Sequence, residues 1–349
     1  MNNIFTKSNL TKFIYFITPP IVLFFFRKVT LTRKKDFSDD EISYINLLNE
    51  IEKSGMDYFI DKDLVKRFCE IKKESYFKTE IRPMSDSRLQ NNLNELTENG
   101  FTIVKNILND HELDKLRNKF IPLAESSIEK LRQLRKEHNA ETSSKVIEED
   151  NEGIKILHNL YDGVSRFRGI ETIAPEINGI GVDNDIHNIC KNYLGGTVSP
   201  SNSYLDVKGV VEASDSSLGL HGDSYTKICK VFIALEDITN ENAPFLYFAK
   251  SHKQGKWRLF KDLLEFSNIN SEYHDYYSMY NILSMFKVSE EDNGVDIKPK
   301  RICLKAGDAI IADTSGIHGA TDLLSGRRVQ LGLVYEQRGL GAADKYLAL

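Results

Sequence analysis

The sequence lacks paired cysteines. Cys69, Cys190, Cys229 and Cys303 are scattered through 349 residues without a CxxC spacing. That excludes a zinc knuckle and a dense disulfide framework, and it fits a reducing, cytoplasmic location. There is no surplus of positive charge either. Lysine and arginine number 46 against 51 acids, for a formal net charge of -5, and the basic residues do not cluster along the second half of the chain, so no nucleic-acid surface is expected. Internal repeats and low-complexity tracts are absent, which removes solenoids and disordered polar tracts. No apolar run reaches the roughly 20 residues that a helix needs to cross a bilayer.

What is present is 41% hydrophobic and 10% aromatic residues, enough for a packed core of one large or two ordinary domains. Residues 1–35 stand apart, with Lys7, Lys12, Arg27, Lys28, Arg33, Lys34 and Lys35 and no acid. Between these charges lies FIYFITPPIVLFFF at 13–26, where Pro19 and Pro20 break any helix at its middle. No small-residue cleavage signature follows. The run reads either as a peripheral membrane anchor with basic flanks on anionic headgroups, or as an arm packing its aromatics on the protein's own body. Residues 36–85 form a charged, helical linker region, with Ile42, Ile45, Leu48 and Ile51 at helical spacing.

From residue 86 a domain extends to 349, with an aromatic insertion at 254–300. Gly100 is expected to stop a helix, and residues 101–105 to form a strand. Asn109 and Glu112 have the spacing of a capping box before Leu113, Leu116, Phe120 and Leu123. Pro122 is expected to bend or end that helix, and residues 126–150, rich in charge, to be solvated helix and loop. From Ser203 onward short β-like runs alternate with turn residues, at 204–211, 219–223, 228–236, 245–249, 301–304, 309–312 and 329–335. Helices first and strands later give an α+β fold whose second half is an antiparallel jelly-roll barrel.

Of the eight histidines only His221 has an acid two residues on, Asp223. On an extended segment that spacing puts both side chains on one face, with Gly222 leaving the other side uncrowded. His111, His138, His158 and His187 lie in polar or mixed stretches where core or surface roles suffice. His318 differs: it follows the apolar run IIAD and a short turn, so it can meet a site built from another strand. Two imidazoles and one carboxylate form the facial triad of non-haem Fe(II) oxygenases.

The ordered motifs carry a resemblance. HGD at 221–223, KVFIALED at 230–237, ENAP at 241–244, SHK at 251–253, KAGD at 305–308 and NGFTIVKNIL at 99–108 together resemble the phytanoyl-CoA dioxygenase family over about residues 86–340. The resemblance implies a double-stranded β-helix with flanking helices, and Fe(2+), 2-oxoglutarate and O2 as cofactor and cosubstrates. It also implies that His221, Asp223 and His318 bind iron, and that a basic residue some ten positions past His318 holds the far carboxylate of 2-oxoglutarate. Arg327 and Arg328 are the candidates. Arg327 shares a face with Val329, Leu331 and Leu333, read as the barrel interior, and is preferred on that parity. Lys208 stands where the family often has a lysine before the HxD strand, and it is either a cosubstrate contact or a surface lysine. Ala243, and Ala249 with Lys250, depart from the family's Gly and Pro-Gly. Asp223 at a position where related halogenases carry a small residue implies hydroxylation of an aliphatic C–H bond in a small-molecule or lipid-linked substrate. The alternatives are a catalytically silent, membrane-tethered binding protein with the same fold, and a zinc site, which would want a fourth ligand.

Overall fold

The structure is a computed structural model that describes residues 67–70, 81–138 and 146–336. Within the last stretch 152, 161, 183–184, 196–197, 199, 210–219, 224–225, 254–261 and 263–298 are not described. The N-terminal run at 13–26, most of the linker region and most of the insertion therefore lie outside the described residues. The chain divides into two compact units, Met1–Glu70 with Gln254–Tyr277 and Asn281–Val288, and Ile71–Lys253 with Ser278–Tyr280 and Ser289–Leu349. Everything below concerns the second. Among the described residues no helix is long and apolar enough to cross a membrane.

Helix α1 (Ser87–Asn99) starts where the Asp86 carboxylate accepts from the backbone N–H of Arg88 and Leu89, and buries Leu89, Leu93 and Leu96 at helical spacing. It ends at Gly100, whose φ of 84° is left-handed. A Cβ there would also stand 2.3 Å from the Tyr247 hydroxyl, so only glycine fits this turn. Strand β1 (Phe101–Val104) follows. The capping box forms as expected: Glu112 N donates to Asn109 Oδ1 at 3.0 Å and Asn109 N to Glu112 Oε2 at 2.9 Å. It opens α2 (Asp110–His138).

Pro122 does not end α2, which runs unbroken through it. The missing bond and ring clash cost about 3 kcal/mol. Continuing the helix buries Ile128, Leu131 and Leu134, each contributing about 1.5–3 kcal/mol, so burial wins. The charged stretch after it is not all solvated helix and loop. It contributes β2 (Val146–Asn151), which pairs with β3 (Ile154–Asn159), and β3 pairs with β4 (Val164–Arg168). A short 3-10 turn and helices α3 (Ile177–Val182) and α4 (Asp185–Leu194) lead to β5 (Pro200–Lys208), β6 (Ile228–Ala234), β7 (Phe245–Tyr247), β8 (Lys300–Ile302), β9 (Ala309–Asp313), β10 (His318–Ala320) and β11 (Arg328–Glu336).

The large antiparallel sheet has the order β1-β9-β6-β11-β5-β4-β3-β2, and the small one the order β10-β7-β8. With the flanking helices they make a double-stranded β-helix of the α+β class. The large sheet's two faces do different work. One face carries Leu205, Val207, Val231, Ile233, Ile311, Val329, Leu331 and Leu333 into the main core with Leu93, Leu116, Phe120 and Ile189 of the helices. The other carries Tyr204, Phe232, Ala234, Ile310, Ala312 and Val334 against Tyr247, Ile302 and Leu304. Charged residues gather on this second face, at Asp206, Lys208, Lys230 and Arg328, and it looks toward the small sheet; the first face carries the smaller Thr102, Ser165 and Ser203 and, among the described residues, a single buried acid, Asp313.

Candidate metal centre

His221 and His318 are directly opposite one another, joined by two backbone bonds of 2.9 Å, His221 N to His318 O and His318 N to His221 O. Two residues on, Asp223 N donates to Thr314 O at 2.7 Å. The HxD segment is thus fixed at both ends to the 314–318 segment, and this is what brings together residues almost a hundred positions apart. The imidazole centroids lie 4.4 Å apart. His221 Nε2 stands 3.5 Å from Asp223 Oδ1 and His318 Nε2 3.4 Å from Asp223 Oδ2. One ligand atom from each of the three lies within 4.8 Å of the others, and among the described residues this is the one such group.

The segment carrying His318 is braced from several sides. Tyr193 donates to Asp313 Oδ2 at 2.6 Å, Ser315 N to Asp313 Oδ1 at 3.1 Å, and the Tyr247 hydroxyl to Asp313 O at 2.8 Å. Ser251 Oγ accepts from Ile317 N at 2.7 Å, while His252 Nε2 meets Thr97 O at 3.0 Å and ties the same loop to α1. The SHK motif therefore serves the neighbour of a candidate ligand without supplying one. Ala243 and Lys250, the two departures from glycine, have φ of 59° and 67°. Both keep the left-handed conformation that glycine adopts more easily.

Protonation follows from the surroundings. His318 Nδ1 lies 3.0 Å from the Gly316 carbonyl, which can only accept, so Nδ1 carries the proton and the Nε2 lone pair faces Asp223. Burial pushes the His318 imidazolium down, with Asp223 pulling against it. Burial would raise the Asp223 carboxyl, but Lys230 and His318 hold it well below the usual range. Lys230 Nζ on β6 stands 2.8 Å from Asp223 Oδ2. Imidazole nitrogens and an ionised carboxylate are the donor types that suit divalent iron. Cis ligands on bonds of about 2.1 Å stand about 3 Å apart, close to the spacing found, and His221, with 55% of its side chain exposed, leaves one side open.

Arg327 is not brought to this face, which corrects the parity argument. Its guanidinium is taken by Glu236 at 2.7 Å through both Nε and Nη2, and by Glu125 at 2.9 Å. Val329, Leu331 and Leu333 face the helices, so their face is not the barrel interior. Arg328 is on the interior face, buried, with Nη2 2.9 Å from Asp206 Oδ2 and Nη1 donating to Ala243 O. Lys208, opposite Arg328 in the ladder, is buried on the same face and is no surface lysine. Asp206, Lys230 and Arg166 also line this face and were missed. The signal was available in the spacing of Asp206 with Lys208 and of Arg328 with Gln330, because polar residues recurring at period two inside apolar strands mark a wet interior.

Burial and the neighbouring Arg328 push Lys208 down from 10.5 to about 8, against Asp162, Asp206 and Asp322. The unfolded chain then binds more protons than the folded one above pH 8, so stability rises with pH between about 8 and 10.5. Below that window the penalty is fully present. Lys208→Met should lack this rise. At about 1.4 kcal/mol per unit the wild type should gain some 2–3 kcal/mol on the variant across the window in denaturant midpoints. A flat difference would show that Lys208 is solvated.

Comparison with curated proteins returns no match. Among solved structures, the chain is similar to the non-heme α-ketoglutarate-dependent epimerase SnoN from nogalamycin biosynthesis, at 12% identity over 73% of this chain and 87% of that one, with a TM-score of 0.44. AviO1 from Streptomyces viridochromogenes Tue57 gives 14%, 74%, 98% and 0.44. HygX from Streptomyces hygroscopicus, solved with nickel and 2-oxoglutarate, gives 14%, 72%, 87% and 0.44. The profile of the family described as Phytanoyl-CoA dioxygenase (PhyH) matches residues 96–329, more than half of the sequence and all of the site. The chain belongs to the phytanoyl-CoA dioxygenase family.

Proposed function

We propose that the protein is a non-haem Fe(II)- and 2-oxoglutarate-dependent dioxygenase that hydroxylates an aliphatic C–H bond of a small-molecule or lipid-linked substrate. One observation carries the reading: His221, Asp223 and His318 converge on the face between the two sheets, with no fourth His, Cys, Asp or Glu grouped with them among the described residues. Three protein ligands leave three octahedral positions for cosubstrate and O2. When bound, iron and 2-oxoglutarate supply the oxidant, and a C–H bond, 2-oxoglutarate and O2 become an alcohol, succinate and CO2.

The chain's own residues hold and aim. His318 keeps its Nε2 lone pair available because Nδ1–H is committed to Gly316 O. Lys230, 2.8 Å from Asp223 Oδ2, keeps the carboxylate ionised beside the place the metal would take. Phe245 stacks on the His318 ring at 5.5 Å and keeps water from that side. Arg328 would receive the far carboxylate of 2-oxoglutarate in fork geometry. Asp223 itself favours hydroxylation, since its carboxylate fills the position that a halide would need.

The test is anaerobic. Fe(II) and 2-oxoglutarate should together give a charge-transfer absorption that neither gives alone. On admission of O2, metabolite extracts should yield substrate-dependent succinate and a product carrying one oxygen atom from O2. Absence of both the absorption and succinate would end the assignment. Succinate without oxygen incorporation would keep the enzyme class and reject hydroxylation.

A further inference from the structure

The interior face carries more positive charge than iron and 2-oxoglutarate need. The ladder places Arg166 of β4 beside Asp206 of β5, and Asp206 beside Gln330 of β11. Lys208 and Arg328 stand on the same face one step along, and Lys230 approaches from β6. Within this set Arg166, Lys208, Lys230 and Arg328 face two carboxylates, Asp206 and Asp223. A divalent metal and a dianionic cosubstrate cancel, so the surplus remains when both are bound. Acids outside the set temper it: Asp162 and Asp322, both exposed, act on Lys208.

Arg166 is where that surplus is left over. Lys230 is engaged by Asp223 at 2.8 Å and Arg328 by Asp206 at 2.9 Å, whereas Arg166 reaches Asp206 Oδ1 only at 3.4 Å. Its Nε is buried and has no hydrogen-bond partner. The guanidinium lies 4.7 Å above the centre of the Tyr204 ring, and that ring fills the space a Cβ on Gly332 would take, at 2.3 Å. The fork is therefore held from one side by an aromatic platform. It stands on the interior face opposite Asp206, and with 37% of the side chain exposed it can be reached by a ligand.

We propose that the substrate carries an oxyanion, a carboxylate or a phosphate, and that Arg166 receives it, so that the C–H bond attacked is presented to the metal from a charged handle. The inference rests on the iron and 2-oxoglutarate reading. A guanidinium fork accepts either oxyanion in bidentate fashion, and exchanging one weak contact for two charge-assisted bonds is where its binding energy comes from. Arg166 is assigned no bond to 2-oxoglutarate, which falls to Arg328.

The test uses the full chain loaded anaerobically with Fe(II) and 2-oxoglutarate, titrated calorimetrically with inorganic phosphate and, separately, acetate. At least one should bind without displacing 2-oxoglutarate, and the preferred one names the oxyanion. Arg166→Gln should weaken that probe by about tenfold or more while 2-oxoglutarate affinity changes less than about threefold. Arg166→Lys, which keeps charge and loses the fork, should fall between. The proposal is overturned if neither anion binds the loaded wild type, or if Arg166→Gln weakens 2-oxoglutarate as much as the probe. Failure of the iron-loaded wild type to bind 2-oxoglutarate at all would instead overturn the enzyme reading, and this proposal with it.

Discussion

Asp223→Ala is expected to reduce Fe(II) affinity by on the order of a thousandfold and to abolish succinate formation. Two effects add. The variant loses one of three ligands, and it leaves the Lys230 ammonium, now without its partner at 2.8 Å, beside the place the metal would take. A thousandfold in binding corresponds to about 4 kcal/mol, which the lost ligand accounts for, whereas removing one member of a buried ion pair costs about 3–5 kcal/mol of folding stability. The same uncompensated charge should lower the stability of the apo protein, although Asp223 holds no metal there. Asp223→Ala with Lys230→Met separates the two contributions: stability should recover toward the wild type, while iron binding should not. Metal content after anaerobic reconstitution, read beside thermal melts, checks both. Iron at a wild-type ratio in Asp223→Ala, with succinate still formed, would remove Asp223 from the centre.

The candidate triad was legible because its information is local and ordered. His221 and Asp223 announce themselves by period-two spacing, and His318 by following an apolar strand. What linear spacing cannot contain is the ladder that sets His221 opposite His318, since pairing across almost a hundred residues belongs to the sheet. Strands β2 to β4 were missed for a different reason. VIEEDN in β2 alternates too many acids with too few apolar residues to look like a strand, and it sits at the edge of the large sheet, where one face is solvated. Its charges are those of an edge strand, which discourages further pairing. Pro122 does not end its helix because the buried stripe continues past it, which a local preference alone leaves out. Arg327 misled most usefully. Taking the face of Val329, Leu331 and Leu333 as the barrel interior inverted the barrel: that face packs on the helices, and the face carrying Asp206, Lys208, Lys230, Arg328 and Gln330 is the one shared with the candidate site.

That inversion gives the second large effect. Arg328→Gln should weaken 2-oxoglutarate by about a hundredfold, and Arg327→Gln by less than about threefold. Arg328 offers a buried fork on the same face as the triad, and hydrogen bonds to charged groups contribute about 1.5–3 kcal/mol each. Arg327 offers nothing to a cosubstrate, because Glu236 already holds it through two nitrogens and Glu125 through a third. Stability should separate the two arginines as well. Arg328→Gln strands Asp206, whose carboxyl stays low despite burial because Arg328 and Arg166 face it, so a loss of about 3–5 kcal/mol is expected. The Arg327 pairs are partly solvated, with Glu125 61% exposed, and pairs of that kind contribute about 0–1 kcal/mol. Arg328→Lys keeps the charge opposite Asp206 and should restore most of the stability but little of the 2-oxoglutarate affinity, because an ammonium cannot reproduce the fork. Titration of the anaerobic iron protein with 2-oxoglutarate, followed through its charge-transfer absorption, reads all three variants on one scale. Equal losses for Arg327→Gln and Arg328→Gln would show that the cosubstrate reaches across both faces of β11, which a strand with alternating sides cannot allow without local rearrangement.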